Sequence, residues 1–240
     1  MAADTLQGSN AVYRWLVLSS LVALGACTSA PPSPGTPEVS QLAPVQLTRA
    51  AQTYAIDAAA STLHILVYRA GPMARLGHNH VISSHSMQGR IWREATPESS
   101  GFDITVPIND LIVDDSAERA TEGDEFAANV SQEAKEATKV NMLRESLLDA
   151  AHFPFVRIRS VSVQGDANAP TVVAAIHIKD QTRNVTLPVT LQSIDFGIRV
   201  KGEFHIKQTD FGITPLSVAL GALQVQDTIK IKFELVAKAQ

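Results

Sequence analysis

The stretch Phe196–Lys207, with the sequence FGIRVKGEFHIK, carries the clearest indication of the fold. Apolar residues recur at every second position, and most positions between them hold charged residues or histidine. Successive side chains of a β-strand point to opposite faces, so this period of two predicts a strand with one buried face. Gly202 interrupts the apolar row and indicates a bend or a close contact. The residues predicted to point inward are Phe196, Ile198, Val200, Phe204 and Ile206.

The same alternation recurs along most of the chain from Tyr54 onward. Its apolar positions are rich in valine, isoleucine and phenylalanine, the residue types that favour strands. We therefore expect about eight strands. The candidates are Ser61–Arg69, Val81–Trp92, Phe102–Ile108, Phe155–Val163, Val172–Lys179, Val185–Leu191, Phe196–Lys207 and Ile229–Leu235.

One region has the period of a helix instead. Between residues 131 and 151, apolar residues recur at spacings of three and four. Ser131 is a suitable N-cap, and Glu133 and Glu136 lie near the positive end of the helix dipole. We therefore expect one amphipathic helix over residues 131–151. The acidic stretch Asp114–Glu125, which precedes this helix, is expected to be an exposed and solvated loop.

The order of these elements indicates the fold class. Many strands with one inserted helix, and without alternation of strands and helices, favour a mainly β, antiparallel fold. Both a sandwich and a closed barrel fit this pattern. A barrel of about eight strands is the smallest that can either fill its interior with side chains or hold one slender ligand. The alternation by itself leaves these possibilities open.

Composition and charge exclude several classes of protein. Apolar residues make up 45% of the chain and charged residues 18%, values typical of a globular protein and not of a disordered one. The net charge is −4, whereas a nucleic-acid-binding protein normally carries a basic surplus that neutralises phosphates. The chain has one cysteine, Cys27, which excludes an internal disulfide and any multi-cysteine metal site.

The N-terminal segment predicts export and a lipid anchor. The apolar run Trp15–Cys27 is too short for a transmembrane helix and suits the hydrophobic region of a secretory signal. Its last four residues, LGAC at positions 24–27, resemble the lipobox of bacterial lipoproteins, in which the cysteine is diacylated and becomes the mature N-terminus. The alternative is an ordinary signal peptide that ends in a cysteine by chance. We expect residues 1–26 to be the signal peptide and Cys27 to be lipidated.

The segment that follows predicts a tether between the anchor and the folded domain. Five of the twelve prolines lie between residues 28 and 46, a density that favours extended polyproline II structure. We therefore assign residues 27–52 to a proline-rich tether and residues 53–238 to one barrel domain. This organisation predicts a periplasmic lipoprotein held at a membrane, the outer membrane, by its N-terminal lipid.

Four stretches of the folded domain resemble a known family, the YceI-like polyisoprenoid-binding proteins, which are lipocalin-like. The first resembles the family's opening, the second its H-L-R-S…Y-P segment, the third its G-V-T-R-P-V-T-L hairpin and the fourth its D-F-G-I. The resemblance covers about residues 53 to 238. In order, the stretches are Tyr54–Asp57 with Ser61–Leu63, Met142–Pro154, Ile178–Leu191 and Asp210–Ile213.

The resemblance implies an extracytoplasmic, lipocalin-like antiparallel barrel. Its apolar lumen would take up a long isoprenoid or a similar lipid. The residue pattern independently allows such a lumen, although the same side chains could instead simply fill the barrel. The candidate lumen residues are Ile65, Val67, Phe102, Ile104, Ile176, Ile198, Val200, Phe204, Ile231 and Phe233.

Two histidines form the remaining polar pattern. His78 and His80 flank Asn79, so on a strand both rings would project from the same face. Such a pair can ligate zinc or copper, but two ligands leave the coordination incomplete, and a metal site would have to recruit His64 or a distant residue such as His152. The alternatives are contact with a polar ligand headgroup at the barrel opening, or a purely structural hydrogen-bonding role.

The sequence contains no nucleophile elbow, S-x-x-K pair or glycine-rich phosphate loop, and we predict no catalytic residue and no enzymatic activity. The leading hypothesis is therefore a lipid-anchored carrier that binds an apolar chain, with no cofactor beyond that lipid. The rival hypothesis is a histidine-dependent metal-binding or hydrolytic protein that uses the same barrel as a scaffold. An apolar, unobstructed lumen favours the first, and a converging three-ligand site near the histidine pair favours the second.

Overall fold

The computed structural model describes residues 51–240. Cys27, the predicted signal peptide and nearly all of the predicted tether lie outside the described residues. The strands are β1 (Gln52–Ile56), β2 (Thr62–Val67), β3 (Arg69–Ala70), β4 (His80–Ser84), β5 (Gln88–Arg93), β6 (Gly101–Pro107), β7 (Ile112–Val113), β8 (Phe155–Gly165), β9 (Pro170–Ile178), β10 (Gln181–Ile194), β11 (Gly197–Lys207), β12 (Ser217–Val218), β13 (Leu223–Val225) and β14 (Thr228–Ala239). The α-helices are α1 (Ser116–Ala120) and α2 (Gln132–Leu143).

Eight of these strands form a closed antiparallel barrel. They are hydrogen-bonded in the order β1-β5-β6-β8-β9-β10-β11-β14, and β14 pairs back onto β1 to close the ring. Four of the eight neighbouring pairs are consecutive in the chain and are joined by hairpins. The predicted fold class, a mainly β, eight-stranded antiparallel barrel with one inserted helix, is confirmed.

A second group of strands leaves the barrel at β14. One edge of β14 pairs with β11 along its length, whereas the other edge is shared by two strands. β2 pairs with the part from Lys230 to Glu234, and β1 pairs with the part from Ala237 to Ala239. β4 and β7 follow β2 outward. We call β2, β4 and β7 the extension sheet.

Ser61 and Asp57 satisfy the backbone of β14 where one edge strand replaces the other. The Val236 N–H donates to Ser61 Oγ at 2.9 Å, and the Asp57 N–H donates to the Val236 carbonyl at 2.8 Å. Ser61 Oγ donates in turn to the Asp57 carbonyl at 2.7 Å, and Ser61 is fully buried. A buried backbone group without a partner is costly, so this contact keeps the interrupted edge stable.

Gly202 lies where an aromatic ring crosses the inner face of the barrel. A Cβ at this position would lie 2.6 Å from Cζ of Phe233, which faces it on β14. Real Cβ atoms do not approach other atoms so closely, so only glycine accommodates the ring here. The interruption in the apolar row of β11 is therefore a close contact, one of the two alternatives that the sequence indicated.

Two of the predicted strands differ from the structure. Phe196 is 71% exposed and does not point inward, because it lies in the two-residue turn of the β10–β11 hairpin, after the last pair of the ladder, Ile194 and Gly197. The candidate Val81–Trp92 is two strands, β4 and β5, separated by residues 85–87. β4 belongs to the extension sheet and β5 to the barrel, so the chain has to turn between them.

The inserted helix begins where the sequence predicts and ends earlier. Ser131 is the N-cap of α2, and its Oγ accepts from the Ala134 N–H at 3.2 Å. The helix ends at Leu143 and not at residue 151, since Arg144 has an extended backbone. Tight turns follow, and from them Leu147 and Leu148 still pack against the core. Within residues 51–240, neither helix is long and apolar enough to cross a membrane.

The acidic stretch is only in part the exposed loop that the sequence predicts: most of its residues are exposed, but some of its charged side chains are buried. It contains α1, whose N-cap Asp115 accepts from the N–H groups of Ala117 at 2.9 Å and Glu118 at 3.2 Å. Asp114 and Arg119 are both buried. The physical reason is that charged side chains of this stretch find partners on the extension sheet, which compensates for their removal from water.

The shared edge of β14 makes a first prediction. Replacement of Ser61 by alanine would leave the buried N–H of Val236 without its acceptor, at a cost of about 1–3 kcal/mol. We expect the free energy of unfolding, measured by urea denaturation, to fall by this amount. The control is Ser193→Ala at an exposed position of β10, where we expect a change within about 0.5 kcal/mol. Equal stability of the two variants would contradict the role assigned to Ser61.

Candidate functional site

The barrel encloses an apolar cavity of about 190 Å³. Side chains from seven of the eight barrel strands line it, together with Leu63 of β2 and Met87. A single water molecule needs roughly 10–15 Å³ of such space, so the cavity has room for a ligand of many atoms. The side chains of this small barrel therefore do not fill its interior completely.

Seven of the ten predicted lumen residues line this cavity, and three do not. Ile198 is buried in the core but does not border the cavity, and it pairs with Ala237 near the closure of the barrel. Ile65 and Val67 lie on β2 in the extension sheet and pack against the core from there. The seven lining residues are Phe102, Ile104, Ile176, Val200, Phe204, Ile231 and Phe233.

One end of the cavity is polar. The β5–β6 connection contributes Glu94 and Ser100, and Arg93 precedes them at the end of β5. Ala167, in the β8–β9 connection, also borders this end. Elsewhere the lining is apolar, with the rings of Phe204 and Phe233 in an edge-to-face contact 6.4 Å between centroids. The cavity therefore suits a ligand with a long apolar part and a polar end.

The histidine pair lies outside this lining, on the extension sheet. The rings of His78 and His80 are in contact, with centroids 4.5 Å apart. Asn79 anchors the backbone between them, because its Oδ1 accepts from the Arg69 N–H at 3.0 Å and its Nδ2 donates to the Glu125 carbonyl at 3.1 Å. Both imidazoles therefore share one face, as the spacing of the motif indicates.

Asp114 joins the two histidines as a third polar group. Its Oδ2 accepts from His80 Nδ1 at 2.7 Å, and its Oδ1 accepts from the Val81 N–H at 2.9 Å and from the Arg119 guanidinium. Burial by itself would raise the pKa of this carboxyl, but the hydrogen bonds from His80, Val81 and Arg119 outweigh burial and lower the pKa below its ordinary value. Asp114 is thus a carboxylate in a buried, fully bonded position.

His78 completes the cluster without a hydrogen bond at Nε2. This atom is buried and has no hydrogen-bond partner in the described part of the chain. Desolvation and the neighbouring His80 lower the pKa of His78, although Asp114 acts in the opposite direction. One ligand atom each of His78, His80 and Asp114 lies within 4.8 Å of the others. We call these three residues the His–His–Asp cluster.

A second polar network lies on the other side of α1. His64 faces two carboxylates: its Nδ1 lies 2.6 Å from Glu122 Oε1, and its Nε2 is within hydrogen-bonding distance of Glu118. His85 Nε2 donates to Glu118 Oε1 at 2.7 Å, and Lys232 Nζ donates to Glu122 Oε2 at 2.6 Å. This network holds α1 and the turn that follows it against β2, β14 and the residue that follows β4 by one position, His85.

The predictions identified His78, His80 and His64 but missed His85 and the acidic partners. Metal binding was expected to need His64 or His152, yet the third group of the cluster is Asp114, from the stretch predicted to be a solvated loop. His64 belongs to the second network, and His152 is paired with Asp149 at 2.8 Å. One feature of the sequence could have indicated the acidic partners: Glu118 and Glu122 are four residues apart, the spacing of one helical face.

The Glu122 carboxylate makes the stability of the second network depend on pH. Burial would raise its pKa, but the hydrogen bonds from Lys232 and His64 lower the pKa below the ordinary value. Because the pKa of Glu122 is lower in the folded state than in the unfolded state, the ionised carboxylate stabilises the fold at pH values above the unfolded-state pKa of about 4.3. This stabilisation is lost as the pH falls through the folded-state pKa.

A closed antiparallel barrel around an apolar cavity with one polar end makes this chain a lipocalin-like barrel. The family model for the YceI-like domain matches residues 54–237, nearly the whole described region. The chain therefore belongs to the YceI-like family. No curated protein matches the sequence.

One solved structure supports the fold, and a second is more distantly similar. The crystal structure of Burkholderia cenocepacia BcnA is 16% identical and has a TM-score of 0.55, over 75% of this chain and 98% of that one. A crystal structure of the Campylobacter jejuni YceI protein is 14% identical, with a TM-score of 0.46 over 65% of this chain and 81% of that one.

The Glu122 network makes a prediction about pH. Glu122→Gln removes the charge that Lys232 and His64 stabilise, and we expect it to lower the free energy of unfolding at pH 7 by about 1–3 kcal/mol. The difference from the wild type should shrink as the pH falls below about 4, where the wild-type carboxyl protonates as well. Urea denaturation over a series of pH values measures both quantities.

The matched control is Glu203→Gln. Glu203 also pairs with a lysine, Lys230, at 3.0 Å, but its side chain is exposed, so we expect a change within about 0.5 kcal/mol. A Glu122→Gln effect that stays constant down to about pH 3 would show that the loss is not electrostatic.

Proposed function

We propose that this protein is an extracytoplasmic, lipid-anchored carrier that binds an isoprenoid or a similar long apolar ligand inside the barrel. The observation that carries this proposal is the cavity: an interior space bordered almost entirely by apolar side chains and polar at one end. Apolar lining attracts ligand surface that leaves water, and it offers no network of polar groups that would recognise a sugar, a nucleotide or a peptide.

The energetics support a chain-like ligand. Each buried methylene contributes about 0.8 kcal/mol, so a tail with about ten buried methylenes contributes roughly 8 kcal/mol before the cost of ordering is subtracted. Arg93, Glu94 and Ser100 lie at one end of the cavity, where a polar headgroup would stay near water. The lining therefore selects for an apolar chain with a polar end more than for one particular lipid.

The geometry favours a carrier over a hydrolase. Among the described residues that line the cavity, Ser100 has the only aliphatic hydroxyl group. Its Oγ accepts from the Glu94 N–H at 3.1 Å and donates to the Thr96 carbonyl at 3.0 Å, so it shapes a loop and is not paired with a general base. His78, His80 and His64 are absent from the lining. We therefore propose a binding role without catalysis.

The location rests on the N-terminal sequence. Cys27 follows an apolar signal-like segment, and β1 begins at Gln52. The residues between them are long enough and proline-rich enough to separate a lipidated Cys27 from the barrel by tens of ångströms. We propose that the barrel works in the periplasm, tethered to the outer membrane, where it would meet lipids that leave the bilayer.

The cavity makes a prediction that a matched pair of variants tests. Ala174 is buried and lines the cavity, whereas Ala175 follows it on β9 with its side chain on the outer face. Ala174→Phe would occupy ligand space, and we expect roughly fivefold less lipid in organic extracts of the purified protein, measured by mass spectrometry. Ala175→Phe should retain the wild-type amount. The proposal fails if no lipid is extracted from the wild type or if both variants carry it equally.

The anchor makes a separate prediction. If Cys27 is lipidated, Cys27→Ser should move the protein out of the membrane fraction or leave it unprocessed, because two or three acyl chains are needed for stable anchoring. Fractionation and intact mass measurement distinguish these outcomes. The lipid anchor would be contradicted if the variant is recovered in the membrane pellet at wild-type level and differs in mass from the wild type only by the cysteine-to-serine exchange. That result would leave the ligand proposal untouched.

A further inference from the structure

We propose that the His–His–Asp cluster binds one divalent transition-metal ion of the zinc or copper type. The site would lie on the extension sheet, outside the lining of the ligand cavity. It therefore goes beyond the carrier function and does not depend on it.

The donor set determines which ions would bind. Two imidazole nitrogens and one carboxylate oxygen are a common protein ligand set for zinc, with a water molecule in the fourth position. Imidazole also suits copper and nickel, whereas calcium and magnesium prefer sets made of oxygen only. The cluster should therefore discriminate strongly against the two alkaline-earth ions.

The spacing is close to what such an ion requires. The three ligand atoms lie within 4.8 Å of one another, and ligands of a tetrahedral zinc ion lie about 3.4 Å apart. A small rotation of the His78 ring would bring the atoms together. This rotation breaks no hydrogen bond at Nε2, because that buried nitrogen has no partner among the described residues. A buried nitrogen without a partner is itself costly, and a metal ion would remove this cost.

The surrounding contacts preorganise the site. Asn79 fixes the backbone between the two histidines, and Arg119 donates to the Asn79 carbonyl at 2.7 Å and to the Ala128 carbonyl at 3.1 Å. Asp114 is held by the Val81 N–H and by Arg119. In the proposed site the ion replaces the proton between His80 Nδ1 and Asp114 Oδ2, so that both atoms become ligands.

The charge balance sets the expected strength. Arg119 already neutralises Asp114, and its positive charge lies next to the position of the ion. We therefore expect weaker binding than in a zinc site with the same three ligands and no neighbouring cation. This coordination requires both His78 and His80, so a histidine variant tests it.

The experiment is isothermal titration calorimetry of the full mature chain, without an affinity tag, with Zn²⁺ and with Cu²⁺. We expect one ion per chain and an affinity that His78→Ala lowers at least about tenfold. The matched control is His152→Ala, which removes an exposed histidine that is also paired with an aspartate, Asp149 at 2.8 Å, but has no third ligand. Its affinity should equal that of the wild type, and excess Mg²⁺ should not displace the ion.

Electron paramagnetic resonance of the Cu²⁺ complex gives a second measurement that needs no variant. Nitrogen hyperfine structure from two imidazoles in the wild type supports the site, and a signal from fewer than two overturns it. Absence of binding by the wild type, equal affinity in folded His78→Ala, or loss of affinity in His152→Ala also overturns the proposal. Circular dichroism of each variant establishes that it is folded.

Discussion

Strand β14 has one edge left after it pairs with β11, and two strands have to share that edge. The backbone of Val236 is satisfied at the changeover by the Ser61 hydroxyl and the Asp57 N–H, which lie in the connection between β1 and β2. Closure of the barrel through β1 and departure of the extension sheet through β2 both depend on this contact, because buried peptide groups without partners would destabilise the interrupted edge.

The shared edge separates two chemical environments. On the β1 side the ring closes, inward residues of neighbouring strands meet, and they leave an apolar cavity instead of a filled core. On the β2 side the strands leave the ring, and the acidic stretch with α1 covers them, bringing carboxylates against histidines. The domain thus holds an apolar cavity and, apart from it, a polar cluster with metal-ligand chemistry. Neither requires residues of the other.

The acidic stretch shows that a high density of charged residues does not by itself mean exposure to solvent. Asp114 is buried beside Arg119 and His80, and Glu122 beside His64 and Lys232. A charge is expensive to bury unless a partner and hydrogen bonds replace water. Lys232 is 110 residues from Glu122 along the chain, so the local sequence of residues 114–125 does not indicate that partner. Asp114, the acidic member of the His–His–Asp cluster, was missed for the same reason.

The sequence by itself determined the features that depend on near neighbours: the strand period of Gly197–Lys207, the N-cap at Ser131, and the common face of His78 and His80. The tertiary structure decided the rest. Ile198 and Val200 both point inward, yet only Val200 borders the cavity, because alternation specifies the direction of a side chain and not its position along and around the barrel. The partners of Asp114 and Glu122 likewise exist only once β2, β4 and β14 are side by side, since contacts across the sheet are set by strand pairing and not by spacing in the sequence.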